Sequence, residues 1–253
     1  MSKVLLKVSG VSKSFGHVQA LKDVNFELNE GEVLGLVGDN GAGKSTFIKI
    51  LSGVHKRDGG EILFDGKSIN FGSPSEAIEA GFETVYQDLA LAPDLPIYSN
   101  MYLGREILRE GLLGKLGFVN KKAMRDSVIA NITKLKATMN HVEQEVGTLS
   151  GGQRQSVAIT RAVIWGKKVI IMDEPTAALG VEESAKVLEI VKELKQHGIT
   201  VIFISHTMPH VLEVSDKICV LRLGKTVANL NASESTYEEV VEYITGARTQ
   251  IEE

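Results

Sequence analysis

The sequence predicts an α/β fold: a parallel sheet core, an antiparallel β portion near the N-terminus, and an inserted helical portion. Three observations carry this. Apolar and polar residues alternate through the first thirty positions. Short apolar runs farther along alternate with helical segments, the pattern of a doubly wound parallel sheet. Between these, residues 88–163 change to helical spacing broken by glycine.

The elements follow in order. Val4, Leu6 and Val8, then Val24, Phe26 and Leu28, repeat with a period of two and predict antiparallel strands. Val33-Leu34-Gly35-Leu36-Val37 is continuously apolar and predicts a buried strand. A helix is expected from Lys44 to Leu51, with Gly53 at its end, and Glu61–Phe64 is a strand leading into the Asp65-Gly66 turn. Helical spacing covers Tyr98–Glu110 and Lys121–Met139, with Gly111, Gly114 and Gly117 interrupting between them. After the linker Glu143–Thr148 come a helix over Gln153–Ile164, a strand over Val169–Met172, a helix over Val181–His197 and a strand over Thr200–Ile204. The expectation is one domain, in which 1–87 and 164–253 form the core and 88–163 the inserted helical subdomain.

Composition excludes several classes. Of 253 residues, 43% are hydrophobic and 24% charged, which is ordinary for a globular protein. The net charge of −4 gives no electrostatic case for a nucleic-acid partner. One cysteine, Cys219, excludes an internal disulfide, and its apolar neighbours Ile218, Val220 and Leu221 make it a core residue. No apolar run reaches the ~18 residues of a membrane span, and Lys3 and Lys7 bracket too short a stretch for a signal peptide.

Three loops that follow apolar strands carry the chemistry, where ligands of such sheets bind. Gly38-Asp39-Asn40-Gly41-Ala42-Gly43-Lys44-Ser45-Thr46 is a phosphate loop. Its glycines let backbone amides curl around an anion at a helix N-terminus, Lys44 adds charge on the β- and γ-phosphates, and Ser45 offers a hydroxyl to Mg²⁺. At the end of Val169–Met172, Asp173 is placed to hold Mg²⁺ and Glu174 to orient or deprotonate water. Leu149-Ser150-Gly151-Gly152-Gln153 opens a helix with a hydroxyl and unblocked amides, a second anion site. The chain already grips a γ-phosphate at Lys44, so a second grip serves a nucleotide held by another copy.

In this order and spacing, the phosphate loop, Gln87, LSGGQ, the Asp173-Glu174 pair and His206 resemble the nucleotide-binding subunit of an ABC transporter. The resemblance covers nearly the whole chain and implies a P-loop NTPase core of the RecA-like type, with ATP and Mg²⁺ as ligands. It implies a head-to-tail homodimer that sandwiches two ATP molecules, docked on transmembrane permease subunits at the cytoplasmic face of the membrane, with a sugar-binding protein acting outside. Gln87 then resembles the glutamine that senses Mg²⁺ and the γ-phosphate, and His206 the switch histidine, which would contact the γ-phosphate and hold Glu174's water in place. Phe15 falls where the family stacks an aromatic on adenine. Gly180 departs from the family, which often has an Asp there that reaches across the dimer. The strings Tyr86–Pro93, Ala177–Val181 and Ser205–Val211 are similar to bacterial monosaccharide importers of the ribose, xylose and fructose type. The expected activity is ATP hydrolysis that powers sugar import; the alternatives are an importer of another substrate and, less favoured, an ABC ATPase outside transport.

Overall fold

The computed structural model describes residues 3–134, 141–177 and 179–248. Contacts divide the chain into two compact units, one formed by 1–87, 166–177 and 188–253, the other by 88–165 and 178–187.

The first unit begins with the long strands β1 (Val4–Phe15) and β2 (Val18–Asn29), paired antiparallel. Their alternation points Leu6, Val8, Val24, Phe26 and Leu28 inward, all at most 4% exposed. Next come β3 (Val33–Gly38), α1 (Lys44–Leu51), β4 (Gly59–Phe64), β5 (Lys67–Ser68), α2 (Pro74–Ala80) and β6 (Phe82–Val85). Asp65 and Gly66 both take positive φ in the β4–β5 turn, the geometry an Asp-Gly pair favours in a two-residue hairpin.

The second unit contains α3 (Ile97–Met101), α4 (Gly111–Lys115), α5 (Lys121–Lys134) and α6 (Gly151–Trp165). The chain then returns through β7 (Val169–Asp173), α7 (Val181–Gln196), β8 (Thr200–Ile204), α8 (Met208–Val214), β9 (Lys217–Arg222), β10 (Lys225–Asn231) and α9 (Tyr237–Thr245).

Among the described residues the strands join in one sheet of order β5-β4-β1-β2-β10-β9-β3-β8-β7-β6. Strands β9, β3, β8, β7 and β6 run parallel, and the pairs at the other end are antiparallel. Strand β10 pairs antiparallel with β9 and joins the wholly antiparallel β5-β4-β1-β2 group through a single parallel register pair with β2, Lys225 with Asp23. Every residue of β8 is buried, as in a parallel sheet covered on both faces. The core combines both regions, with Phe26, Leu36, Phe47, Phe64, Phe82, Ile171, Ile204 and Cys219 in one cluster. Burial holds the Cys219 thiol at a pKa of about 12, so it behaves as a small apolar residue.

Two helical expectations need correction. The helix over Tyr98–Glu110 ends at Met101. Asn100 is fully buried, and its amide bonds Ala92, Leu95 and Pro96, which ties the short helix to the preceding turn. Leu108 then pairs with Val119, and the chain between forms α4, whose Gly114 lies inside the helix rather than breaking it. A Cβ there would sit 1.8 Å from the Arg109 carbonyl oxygen, so glycine is required by close approach. Of the expected helix over Lys121–Met139, residues beyond 134 lie outside the described residues. A second small core packs Ile97, Tyr98, Met101, Met124, Val128, Val146 and Val157 together, with Trp165 against it. Trp165 donates its Nε1–H to the Met101 carbonyl at 2.7 Å, a packing role.

Candidate functional site

The carboxyl ends of the central strands open into a cavity of about 790 Å³. Its lining includes every residue from Gly38 to Thr46, together with Gln87, Asp173, Glu174, Ala177 and His206. The sequence-predicted residues of the first unit therefore converge on one place, apart from Phe15.

The phosphate loop is shaped by what surrounds it. Gly38 adopts φ +149° and Gly43 φ +109°, and a Cβ on Gly43 would strike Leu21 Cδ2 at 2.5 Å and the Ala20 carbonyl at 2.9 Å. Gly43 precedes α1 with no side-chain cap, so the helix presents open N–H groups to the cavity. Asp39 Oδ1 accepts from the Asn40 amide, and the Ala42 amide donates to the Asp39 carbonyl, which closes the loop on itself. Lys44 folds back across it, donating Nζ–H to the carbonyls of Gly38 (2.7 Å) and Asp39 (3.1 Å). Burial pushes the Lys44 pKa down, and the carboxylates of Glu174, Asp39 and Asp173 oppose that shift.

Asp173 ends β7, and Glu174 follows with φ +52°, a left-handed conformation that non-glycine residues seldom adopt. The strain is held by the Glu174 amide, which donates to the Ile204 carbonyl at the end of β8 (2.9 Å). Glu174 Oε2 lies 2.8 Å from His206 Nδ1 and also receives the His206 backbone N–H at 3.4 Å. The carboxylate is mostly covered, while the imidazole is 70% exposed and free to meet a ligand. Burial, and secondly the Glu174 charge, push the Asp173 pKa up. Two acids beside one ammonium leave room for another cation.

Ser45 is exposed at the start of α1, and Gln87 is exposed at the end of the segment after β6. Among the described residues no group of three or more His, Cys, Asp or Glu side chains forms a metal cage. Mg²⁺ is commonly held by one or two protein oxygens, waters and substrate phosphates. Ser45, Gln87 and Asp173, all on this cavity, are the residues that would hold it.

Phe15 is not a core residue. It is exposed at the end of β1, edge-on to His55 with ring centroids 5.1 Å apart, and is not among the residues lining the cavity. Val18, Gln19, Ala20 and Lys22 of the same hairpin do line it, with Leu223 from the β9–β10 turn. Sequence reasoning missed these. The only local signals are the Phe15-Gly16 turn and Leu223-Gly224, both of whose residues take positive φ.

In the second unit, Ser150 and Gln153 form a reciprocal cap at the start of α6. Ser150 Oγ accepts the Gln153 amide at 3.2 Å, and Gln153 Oε1 accepts the Ser150 amide at 2.8 Å. Gly151 faces open space, whereas a Cβ on Gly152 would lie 2.4 Å from Glu183 Cγ. Glu183 also fills the space beside Gly180, where a Cβ would lie 2.5 Å from its Oε2.

The family model described as ABC transporter matches residues 21–177. The chain is 48% identical over 246 residues to the fructose import ATP-binding protein of Rhizobium meliloti, covering 96% of this chain and 95% of that one. It is 48% identical to the xylose/arabinose import ATP-binding protein of Sulfolobus acidocaldarius, covering 95% and 94%. It is 40% identical to the ribose import ATP-binding protein of Bacillus licheniformis, of which it spans 48%. Among solved structures, an ATP-binding cassette of an ABC transporter in its ADP conformation superposes with a TM-score of 0.81 at 29% identity, over 96% of both chains. A dimeric cassette in a post-hydrolysis state with ADP and phosphate superposes at 0.74 with 25% identity, over 90% of this chain and 99% of that one.

Proposed function

The chain belongs to the ABC transporter family, and from that premise we propose that it is the ATP-hydrolysing subunit of a sugar importer, working as a homodimer on permease subunits. The observation that supports this best is the cavity that gathers Lys44, Asp173, Glu174 and His206, in a chain 48% identical over nearly its full length to import ATP-binding proteins for fructose and for xylose or arabinose.

In this reading the ATP phosphates enter the loop Gly38–Thr46 and take hydrogen bonds from the open amides at the start of α1. Lys44 exchanges the Gly38 and Asp39 carbonyls for β- and γ-phosphate oxygens. Ser45, Asp173 and Gln87 would hold Mg²⁺, which would neutralise charge on those phosphates. Glu174 positions the attacking water, and His206, through its 2.8 Å contact, keeps that carboxylate aimed. Ser150, Gly151, Gly152 and Gln153 of the partner subunit close over the γ-phosphate, so that closure requires ATP and hydrolysis releases it. Phe15 is the candidate adenine platform. Catalysis is mainly electrostatic, supplied by donors already in place.

No described helix is long and apolar enough to cross a membrane. In this reading the subunit works at the cytoplasmic face, bound to a permease that an external sugar-binding protein supplies. The test is uptake of labelled fructose, xylose and ribose by cells lacking the gene, complemented with wild type or Glu174→Gln. Loss of uptake of one sugar, restored only by wild type, is expected. Normal uptake of all three in the deletion strain would move the assignment to another import substrate.

A further inference from the structure

Residues 105–125 differ in charge from the rest of the chain. They carry six Lys or Arg and two Glu, a net of +4, in a protein whose total is −4. Within them, Leu108 pairs with Val119, Arg109 N–H donates to the Phe118 carbonyl at 2.8 Å, and Asn120 N–H donates to the Ile107 carbonyl at 2.6 Å. These bonds close a projecting finger with α4 at its tip, and Gly114 seats that helix against the Arg109 carbonyl. Ile107 and Val119 pack on the second core and anchor its base.

The outside of this finger is apolar. Leu112 in α4 is 75% exposed and Leu116, which caps the helix, 66%; the Leu116 N–H donates to the Leu112 carbonyl, so the two lie one turn apart. Leu108, Leu113 and Phe118 are exposed beside them. Arg109, Lys115, Lys121 and Lys122 are exposed in and next to this stretch, with Glu106 and Glu110 exposed among them. Such a group of large apolar side chains marks a surface that meets something else.

We propose that the finger Arg109–Phe118 is a membrane-surface contact, which seats its leucines and Phe118 at the headgroup boundary of an anionic bilayer. Apolar side chains accompanied by Lys and Arg are the composition that binds such an interface. The charge separation argues for lipid: an anionic surface attracts the 105–125 segment that carries the finger and repels the remainder of the chain, so it orients the subunit. The proposal rests on the membrane-associated role above, but on no particular sugar.

The experiment is flotation of the purified full chain, without permease, on vesicles of equimolar phosphatidylcholine and phosphatidylglycerol or of phosphatidylcholine alone. Wild type is expected to float with the anionic vesicles, less at high salt, and at least tenfold less with phosphatidylcholine alone. Leu112→Glu/Leu116→Glu should lose tenfold or more in partitioning, about 1.4 kcal/mol, with unchanged ATPase activity and melting temperature. Lys121→Glu/Lys122→Glu should lose the preference for phosphatidylglycerol. Wild type that floats with neither vesicle, or a double leucine variant that floats as well as wild type, overturns the proposal. In a parallel flotation on vesicles that also hold the permease, a double leucine variant whose loss appears only with the permease overturns it too, and would make the finger a protein-docking surface. A failed ATPase assay would instead count against the proposed function.

Discussion

The side chain of Glu183 occupies the space that a side chain on Gly152 would need: an added Cβ would lie 2.4 Å from Glu183 Cγ and 3.0 Å from its Cβ. The start of α7 is thereby packed on the start of α6, and the glycine of the signature is required for packing as well as for an open amide. Gly152→Ala should cost about 1–3 kcal/mol by overpacking, read as a lower denaturation midpoint, and Glu183→Ala in the same chain should recover most of it. Gly151→Ala, facing open space, should change stability by no more than about 0.5 kcal/mol. Equal losses for the two alanines would refute the packing argument.

The trans arrangement predicts where a signature defect is felt. In mixed dimers, Ser150→Arg in one subunit should weaken ATP held by Lys44 of the other and leave the altered chain's own phosphate loop competent. Site-resolved nucleotide crosslinking is the measurement. A defect confined to the altered chain's own site would disprove the sandwich.

Glu174 sits at φ +52° with His206 against it. Glu174→Gln keeps the shape and removes the charge, so hydrolysis should fall at least about 100-fold, the scale of a general base, while an ATP-bound dimer accumulates. His206→Ala should lower the hydrolysis rate with less effect on ATP affinity. Light scattering that finds only monomer for Glu174→Gln with ATP would contradict the closure model.

Asp173 gives a pH signature. Burial and the Glu174 charge raise its folded pKa, so the folded chain holds that proton more tightly than the unfolded chain. Its favourable contribution is complete below the ordinary Asp value and is lost as pH rises through the raised one. The melting temperature of Asp173→Asn relative to wild type should therefore rise as pH goes from about 4 to about 7, in the nucleotide-free protein. A difference independent of pH would mean that Asp173 is not constrained this way.

Much of this was legible in the residues because the relevant physics is local. The continuous apolar run of β3 and the glycines that follow it need no tertiary context, and helix α1 and the position of Gly53 follow from the same pattern. The alternation in β1 and β2 likewise fixes which side chains enter the core. Where the outcome rests on one side chain's bonds or on partners distant in sequence, the reading failed. The buried Asn100 amide ties the short helix α3 to the turn just before it, and composition alone gives no sign of that. The lining supplied by Ala20, Lys22 and Leu223 depends on two turns meeting at Gly43 and Gly224. The crowding of Glu183 on Gly152 and Gly180 joins residues from separate segments in the same way.

The join between β2 and β10 bears on how this protein would respond to nucleotide. The wholly antiparallel β5-β4-β1-β2 group and the rest of the sheet share one register pair, Lys225 with Asp23, yet the cavity takes Val18, Gln19, Ala20 and Lys22 from one side of that seam and the phosphate loop from the other. A molecule bound there works as a rivet across that seam. Its occupancy would be registered as stiffness, with slower amide exchange along the seam.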